Sequence, residues 1–329
     1  MFTKSRLTNI STPLLAMILM SGSLLVSSCG GSESSASAEE AAATEPAAPV
    51  TNYREQRQVS FEKGLKFPES VASDGETYYV SNLGGRKSSK RPEPTKKDKN
   101  GYIAKFDADG NLLEGKFISG LHAPKGMVLI GDRLYVTDID KVYGYDVTNG
   151  EKVTEIPFEG GVEFLNDIAE GPDGTLFVTA TDKNAIYQLT LGEEPKIEQI
   201  ETTENIPSPN GITYDAEANA LYVVSYAGPV GRVFKVDLVQ TTPKVSYVTK
   251  HEGQLDGVVK IGAFLLTTDW NSQSMWLLDI TDTNAPREHP MAARISGPAD
   301  FYYDQAAGEF WIPAMLEDKV YIQTYALRP

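Results

Sequence analysis

Six short segments of the 329-residue chain place a charged or amide side chain at the head of a run of β-favouring residues. They are Pro68-Glu69-Ser70, Pro124-Lys125-Gly126, Leu165-Asn166-Asp167, Pro209-Asn210-Gly211, Leu255-Asp256-Gly257 and Pro298-Ala299-Asp300. Among these, Glu69, Asn166, Asn210 and Asp256 offer two carboxylates and two amide carbonyls. An all-oxygen set of this kind suits a hard divalent cation such as Ca²⁺. The acids would balance the ion's charge, and the amides would add ligation without excess negative charge. An ion held this way polarises a carbonyl as a Lewis acid and orients an attacking water. Lys125 would then stabilise a developing oxyanion, or else form a structural ion pair with Glu69 or Asp300. Asn, Asp and Gly are also common wherever a loop turns into a strand. The six segments therefore carry chemistry only if one scaffold makes them converge.

A repeat supplies that scaffold. Aromatic-rich runs recur as Tyr78-Tyr79-Val80-Ser81-Asn82, Leu134-Tyr135-Val136-Thr137-Asp138, Leu176-Phe177-Val178-Thr179-Ala180, Leu221-Tyr222-Val223-Val224-Ser225, Phe264-Leu265-Leu266-Thr267-Thr268 and Phe310-Trp311-Ile312-Pro313-Ala314. Their second residues lie 56, 42, 45, 43 and 46 positions apart. Turns such as Ser73-Asp74-Gly75 and Pro172-Asp173-Gly174 precede the runs, and further β-favouring segments such as Tyr102–Phe106 and Ala185–Leu189 follow them. Short strands with a period of about 40–45 residues predict a β-propeller with four strands per blade. Nowhere does the pattern of a long amphipathic helix appear. The expected fold is all-β, a six-bladed propeller of four-stranded antiparallel blades. In such a ring the innermost strands line a central channel and their starts face the ligand side, so the six segments would meet near one axis. The last unit offers only three strands, and Gln58-Val59-Ser60-Phe61 precedes the first. Blade six is accordingly expected to combine residues 298–329 with about 57–62, which closes the ring and removes an exposed sheet edge.

With the phase of the repeat fixed, the ordered set resembles the senescence marker protein (regucalcin) and gluconolactonase family of six-bladed propellers over about residues 55–329. The residues that carry the resemblance are Glu69 opening blade one, Asn166-Asp167 in blade three, Asn210-Gly211 in blade four and Asp256-Gly257 in blade five. It implies that Glu69, Asn166, Asn210 and Asp256 ligate a divalent metal, Ca²⁺ being the expected ion. It also implies that Asp256 doubles as general base and that the reaction is hydrolysis of a lactone or ester. Two positions depart from the family. Phe164 stands where a substrate-contacting Arg precedes the blade-three Asn by two residues, and Ser70 follows Glu69 where Gly is usual. Both bear on whether the substrate is a sugar lactone. Phe164, Tyr226 and Trp270 form the candidate substrate-binding set around the mouth. The runs Gly171–Val178 and Gly228–Val233 also resemble NHL repeats, which are often non-catalytic. A propeller that binds a peptide, a glycan or an envelope partner protein through the same face is therefore the competing class, and a scaffold using the metal only for stability is a third.

Composition removes other classes. Lys and Arg total 30 against 45 Asp and Glu, a net charge of −15, so nucleic acid would be repelled from most of this surface. The single cysteine, Cys29, excludes an internal disulfide and a Cys-based metal site, and His122, His251 and His289 are too dispersed for a His-rich one. At the N-terminus Lys4 and Arg6 precede the apolar run Pro13–Met20, which is too short to span a bilayer. The segment ends in Leu25-Val26-Ser27-Ser28-Cys29-Gly30, which resembles a bacterial lipoprotein signal with Cys29 as the lipidated residue. Residues 1–28 would be a signal peptide, 29–52 a Gly-, Ser- and Ala-rich flexible tether, and 53–329 the propeller. Loss of Lys4 and Arg6, with no acid alongside them, would take the charge from −15 to −17. The implied location is the bacterial cell envelope, outside the cytoplasm and held to the membrane by the lipid alone. Cys29→Ser is expected to leave the chain unprocessed or released from membranes. A variant as mature and as membrane-bound as wild type on fractionation would exclude lipid attachment.

The first repeat step, 56 residues, marks an insertion of about 14 residues in blade one. The stretch 84–100 holds seven basic residues and two acidic ones. Strand alternation places it on the same face as Glu69, overhanging the mouth. It reads either as a mobile lid that gathers anionic ligands or cell-surface polymers by electrostatic steering or as a solvated flexible insertion.

Overall fold

The computed structural model describes residues 55–85, 88–249, 251–281, 287–291 and 294–325. Residues 1–54, with the expected signal peptide, tether and Cys29, lie outside the described residues. Within those residues no helix is long and apolar enough to cross a membrane. The described residues fold into six four-stranded antiparallel sheets.

Strand β1 (Glu55–Phe61) comes first and belongs to the last blade. Blade one is β2 (Pro68–Ser73), β3 (Thr77–Asn82), β4 (Gly101–Asp107) and β5 (Leu112–Leu121). Blade two is β6 (Pro124–Ile130), β7 (Arg133–Asp138), β8 (Lys141–Asp146) and β9 (Lys152–Pro157). Blade three runs through β10 (Leu165–Glu170), β11 (Thr175–Ala180), β12 (Ala185–Thr190) and β13 (Lys196–Gln199). Blade four comprises β14 (Pro209–Asp215), β15 (Ala220–Ser225), β16 (Val233–Asp237) and β17 (Lys244–Tyr247). In blade five the strands are β18 (Leu255–Ile261), β19 (Phe264–Asp269), β20 (Ser274–Asp279) and β21 (Arg287–Pro290). Blade six contains β22 (Tyr302–Asp304), β23 (Glu309–Ala314) and β24 (Lys319–Tyr325), with β1 as its outer strand.

Period-two alternation explains why the second strand of each blade reads as a continuous apolar run. In β11, Leu176, Val178 and Ala180 pack with Val142 and Ile156 of blade two. Phe177, between them, packs with Ile212 and Leu221 of blade four. A strand buried on both faces has no polar side to show. The core is thus a set of apolar layers between neighbouring blades.

Closure follows the expected strand exchange, with β1 starting three residues earlier than the sequence pattern suggested. It pairs antiparallel with β24, from Glu55 opposite Tyr325 to Phe61 opposite Val320. Phe61 packs on Phe106 of blade one and Trp311 of blade six, at centroid distances of 4.6 and 5.6 Å. Trp311 in turn stacks on Tyr78 of blade one at 3.8 Å and 9°. Blade six departs from the pattern in its inner strand, which is reduced to β22 plus an isolated bridge from Pro298 to Ala314.

Candidate metal centre

Each full inner strand is interrupted at the same place. In β2 the register slips between Pro68 and Val71, opposite Asn82 and Val80, so one extra residue is accommodated. Equivalent slips fall between Pro124 and Met127, Leu165 and Ile168, Pro209 and Ile212, and Leu255 and Val258. A bulge of this kind re-aims the side chains within it. The first residue inside each is Glu69, Lys125, Asn166, Asn210 or Asp256.

Hydroxyls from the second strand satisfy the displaced amides. The Ser70 N–H donates to Ser81 Oγ at 3.0 Å, Asp167 N–H to Thr179 Oγ1 at 2.9 Å and Gly257 N–H to Thr268 Oγ1 at 2.8 Å. Two of these hydroxyls reach on to the next blade, Thr179 donating to the Asn210 carbonyl at 2.6 Å and Thr268 to the Ala299 carbonyl at 3.0 Å. Asp167 also ties blades three and four together, since its Oδ2 accepts the Ile212 N–H at 2.7 Å. Blades crowd here: a Cβ on Gly211 would stand 2.2 Å from the Asp256 carbonyl oxygen, which is why glycine follows Asn210.

The arrangement brings all the sequence-predicted site residues of the propeller together. Glu69, Lys125, Phe164, Asn166, Asn210, Tyr226, Asp256 and Trp270 line one central cavity of about 220 Å³. Asp300 stays outside it, and its Oδ2 accepts the Ser70 hydroxyl at 2.6 Å. The serine that departs from the Glu-Gly pattern therefore joins blade one to blade six.

Among the described residues, four oxygens in the cavity lack partners. Glu69 Oε2, Asn166 Oδ1, Asn210 Oδ1 and Asp256 Oδ1 are buried with no hydrogen bond. One buried acceptor left unsatisfied costs about 1–3 kcal/mol, so four lining one cavity fit a site built for a cation. All four are oxygens, as a hard cation requires. Because half the set is amide, no cluster of three His, Cys, Asp or Glu forms among the described residues. The other Asp256 oxygen, Oδ2, accepts the Trp270 indole N–H at 2.7 Å, and Trp270 meets Tyr226 edge to face at 5.8 Å.

The electrostatics fit the same picture. Burial, then Asp256 and Asp300, push the Glu69 carboxyl well above the usual carboxylate range, with Lys125 pulling the other way. Burial and then Asp300 raise Asp256 to about 8. Lys125 is drawn down to about 8 by burial, against the pull of Glu69 and Asp138. Its ammonium donates to the Ala123 carbonyl at 3.0 Å and lies 4.8 Å from the Phe164 ring centroid. Among the described residues it makes no direct ion pair with Glu69 or Asp300. Buried acids that repel one another favour a bound divalent charge.

A second ring of residues follows the second strands. Leu83, Thr181, Tyr226, Trp270 and Met315 each line the cavity. Each backbone N–H is held by a carbonyl just ahead of the adjoining inner strand, those of Phe67, Phe164, Ser208, Gln254 and Gly297, at 2.9–3.0 Å. Sequence reasoning found Tyr226 and Trp270 but missed Leu83, Thr181 and Met315, although the repeat phase already made them equivalent.

The blade-one insertion reaches the mouth, as strand alternation requires. Its ends are pinched together at Gly84, whose φ of +74° and 2.1 Å Cβ clearance from the Asn100 carbonyl oxygen leave room only for glycine. The Lys66 ammonium holds it to blade six through the Ser89 carbonyl at 3.0 Å and Asp318 at 2.8 Å. Lys97 holds it to blade two through Asp140 at 2.7 Å. Pro92 and Pro94, not singled out from the sequence, form part of the cavity wall.

No protein-family model matches the chain, and no curated protein matches it. Solved structures do. A gluconolactonase from Xanthomonas campestris superposes with a TM-score of 0.63 at 14% identity, covering 82% of this chain and 89% of that one. A putative oxidoreductase (glucose dehydrogenase) from Thermus thermophilus gives 0.57 at 12% identity over 81% and 99%. Virginiamycin B lyase from Staphylococcus aureus gives 0.53 at 16% identity over 82% and 99%. Likenesses at this identity define the fold: the chain is a six-bladed β-propeller that shares its architecture with proteins named as enzymes.

Proposed function

We propose that this propeller hydrolyses a lactone or ester with the help of a divalent cation, Ca²⁺, held by Glu69, Asn166, Asn210 and Asp256. The observation that carries the reading is the convergence of their four unpartnered buried oxygens in one cavity. When bound, the cation supplies Lewis-acid polarisation of the scissile carbonyl. Asp256, oriented by Trp270, takes a proton from the attacking water. The water oxygen bonds to the acyl carbon, the acyl carbon–oxygen bond breaks, and the leaving oxygen receives that proton. The products are an acid and an alcohol, joined in one hydroxy acid when the substrate is a lactone. Lys125, buried at the cavity wall, faces the oxyanion that develops. The leader ending at Cys29 supports an envelope location with a lipid anchor.

A panel of lactones and esters assayed with Ca²⁺ and with chelator tests the reading. Calcium-dependent turnover is expected, with Asp256→Asn lowering kcat by about 100-fold or more, the scale of a lost general base. If no member of the panel is turned over under either condition, the hydrolase reading fails and the propeller becomes a binding module of the NHL-like kind.

A further inference from the structure

We propose that the cavity selects a compact apolar group next to the scissile carbonyl, an aromatic ring or short alkyl chain, and that Phe164, Pro92 and Pro94 set this preference. The proposal rests on the hydrolase reading above for the identity of the carbonyl.

Most of the polar groups of the cavity are already committed. The unpartnered oxygens of Glu69, Asn166, Asn210 and Asp256 belong to the cation, and Lys125 lies beside them. The Trp270 N–H is taken by Asp256, and the Thr181 hydroxyl donates to the Pro209 carbonyl at 2.7 Å. Apart from the Tyr226 hydroxyl and the amide N–H groups of Asn166 and Asn210, what remains to meet a substrate is apolar: Leu83, Pro92, Pro94, Phe164, Met315 and the face of Trp270. These surfaces cannot replace the hydrogen bonds that the hydroxyls of a sugar lactone lose on leaving water. Each such loss weakens binding about tenfold.

The insertion contributes shape to the cavity wall. Lys96 is paired with Glu93 and Lys97 with Asp140, both at 2.7 Å. Pro92 and Pro94 are half-buried while Arg91, Glu93 and Thr95 between and beside them are exposed, so the segment turns its prolines inward. Phe164 occupies the opposite role to a cation: its ring takes up the Lys125 ammonium at 4.8 Å and adds apolar wall. The volume agrees. A cavity of roughly 150 Å³ holds benzene, and about 220 Å³ leaves room for one ring with a short substituent.

The test compares the Ca²⁺-loaded protein on 3,4-dihydrocoumarin, an aromatic lactone, and on glucono-1,5-lactone. Two unreplaced hydrogen bonds predict a kcat/KM ratio of about 100-fold in favour of the aromatic lactone. Phe164→Arg should narrow that ratio at least about tenfold, and Pro92→Gly with Pro94→Gly should raise KM for the aromatic lactone by a larger factor than it lowers kcat. Equal or better use of the sugar lactone by wild type overturns the proposal. A binding arm separates the two readings: thermal shifts with 3-phenylpropionate and with gluconate, both in Ca²⁺. If neither lactone is hydrolysed but 3-phenylpropionate alone stabilises the protein, selectivity stands and the hydrolase reading falls. If the two acids stabilise equally, selectivity falls.

Discussion

Calcium at about 100 times its dissociation constant is expected to stabilise the wild type by about 2.7 kcal/mol, a rise in melting temperature of roughly 5–10 °C for a domain of this size. Asp256→Asn should lose most of that increment, because it removes one of the two neutralising carboxylates while keeping an acceptor for Trp270. Asp300→Asn should retain it: Asp300 stands outside the cavity, and the amide still accepts the Ser70 hydroxyl. General screening of an acidic surface would treat the two acids alike. Calcium that fails to stabilise the wild type, or that stabilises both variants equally, would rule out the shared site. The response should also depend on pH, with a definite sign. Asp256 has its folded value raised from 3.8 to about 8, so the metal-free fold holds a proton that the unfolded chain gives up, and its stability declines as pH rises through that window. Calcium needs the carboxylate and expels the proton, so its affinity should strengthen from pH 6 to pH 8, by up to about tenfold per unit for one proton.

The second large effect concerns the seam between the first and last strands. Deleting residues 30–50 should leave the melting temperature nearly unchanged, whereas deleting 30–62 should lower it by roughly 5 °C or more. The larger truncation strips β1 from β24 and uncovers Val320 and Ile322, which are fully buried in the closed ring. It also removes Phe61 from between Phe106 and Trp311. Val59 and Phe61, both partly buried, account together for roughly 2–4 kcal/mol of apolar burial. Phe61→Ala should reproduce part of the loss without altering chain length. Equal melting temperatures for the two truncations would show that the strand exchange does not hold the ring.

The blades were legible because strands buried on both faces must repeat their apolar runs, as Leu176-Phe177-Val178 and Leu221-Tyr222-Val223 do. Closure was legible because the last unit was one strand short and Val59 and Phe61 stood ahead of the first. The ligand set was legible only through its phase: four dipeptides spread between Glu69 and Asp256 have no meaning until the repeat aligns them. What the sequence could not display was the bulge that turns each of those residues toward the axis, since it arises from pairing with a neighbour. Nor could it display the inward turn of Pro92 and Pro94 within a charged insertion, which depends on contacts made by Lys66 and Lys97 with distant blades. Asp300 illustrates the limit. It stands one residue past the position of the proposed ligands, in register with Ser70 and Asp167, and its packing against Ser70 gives it a different task.

The pairing of β1 with β24 has a consequence for the order of events during synthesis. Phe61 lies opposite Val320, 259 residues later in the chain. On a ribosome, β1 emerges before every blade and has no partner until translation has passed Tyr325. Throughout that interval Val59 and Phe61 find neither β24 nor Trp311, and only Phe106 of blade one is made early, while blades one to five can each complete their own four strands from contiguous sequence. The circle is therefore sealed only once β24 has been made, by a strand that was made before every blade.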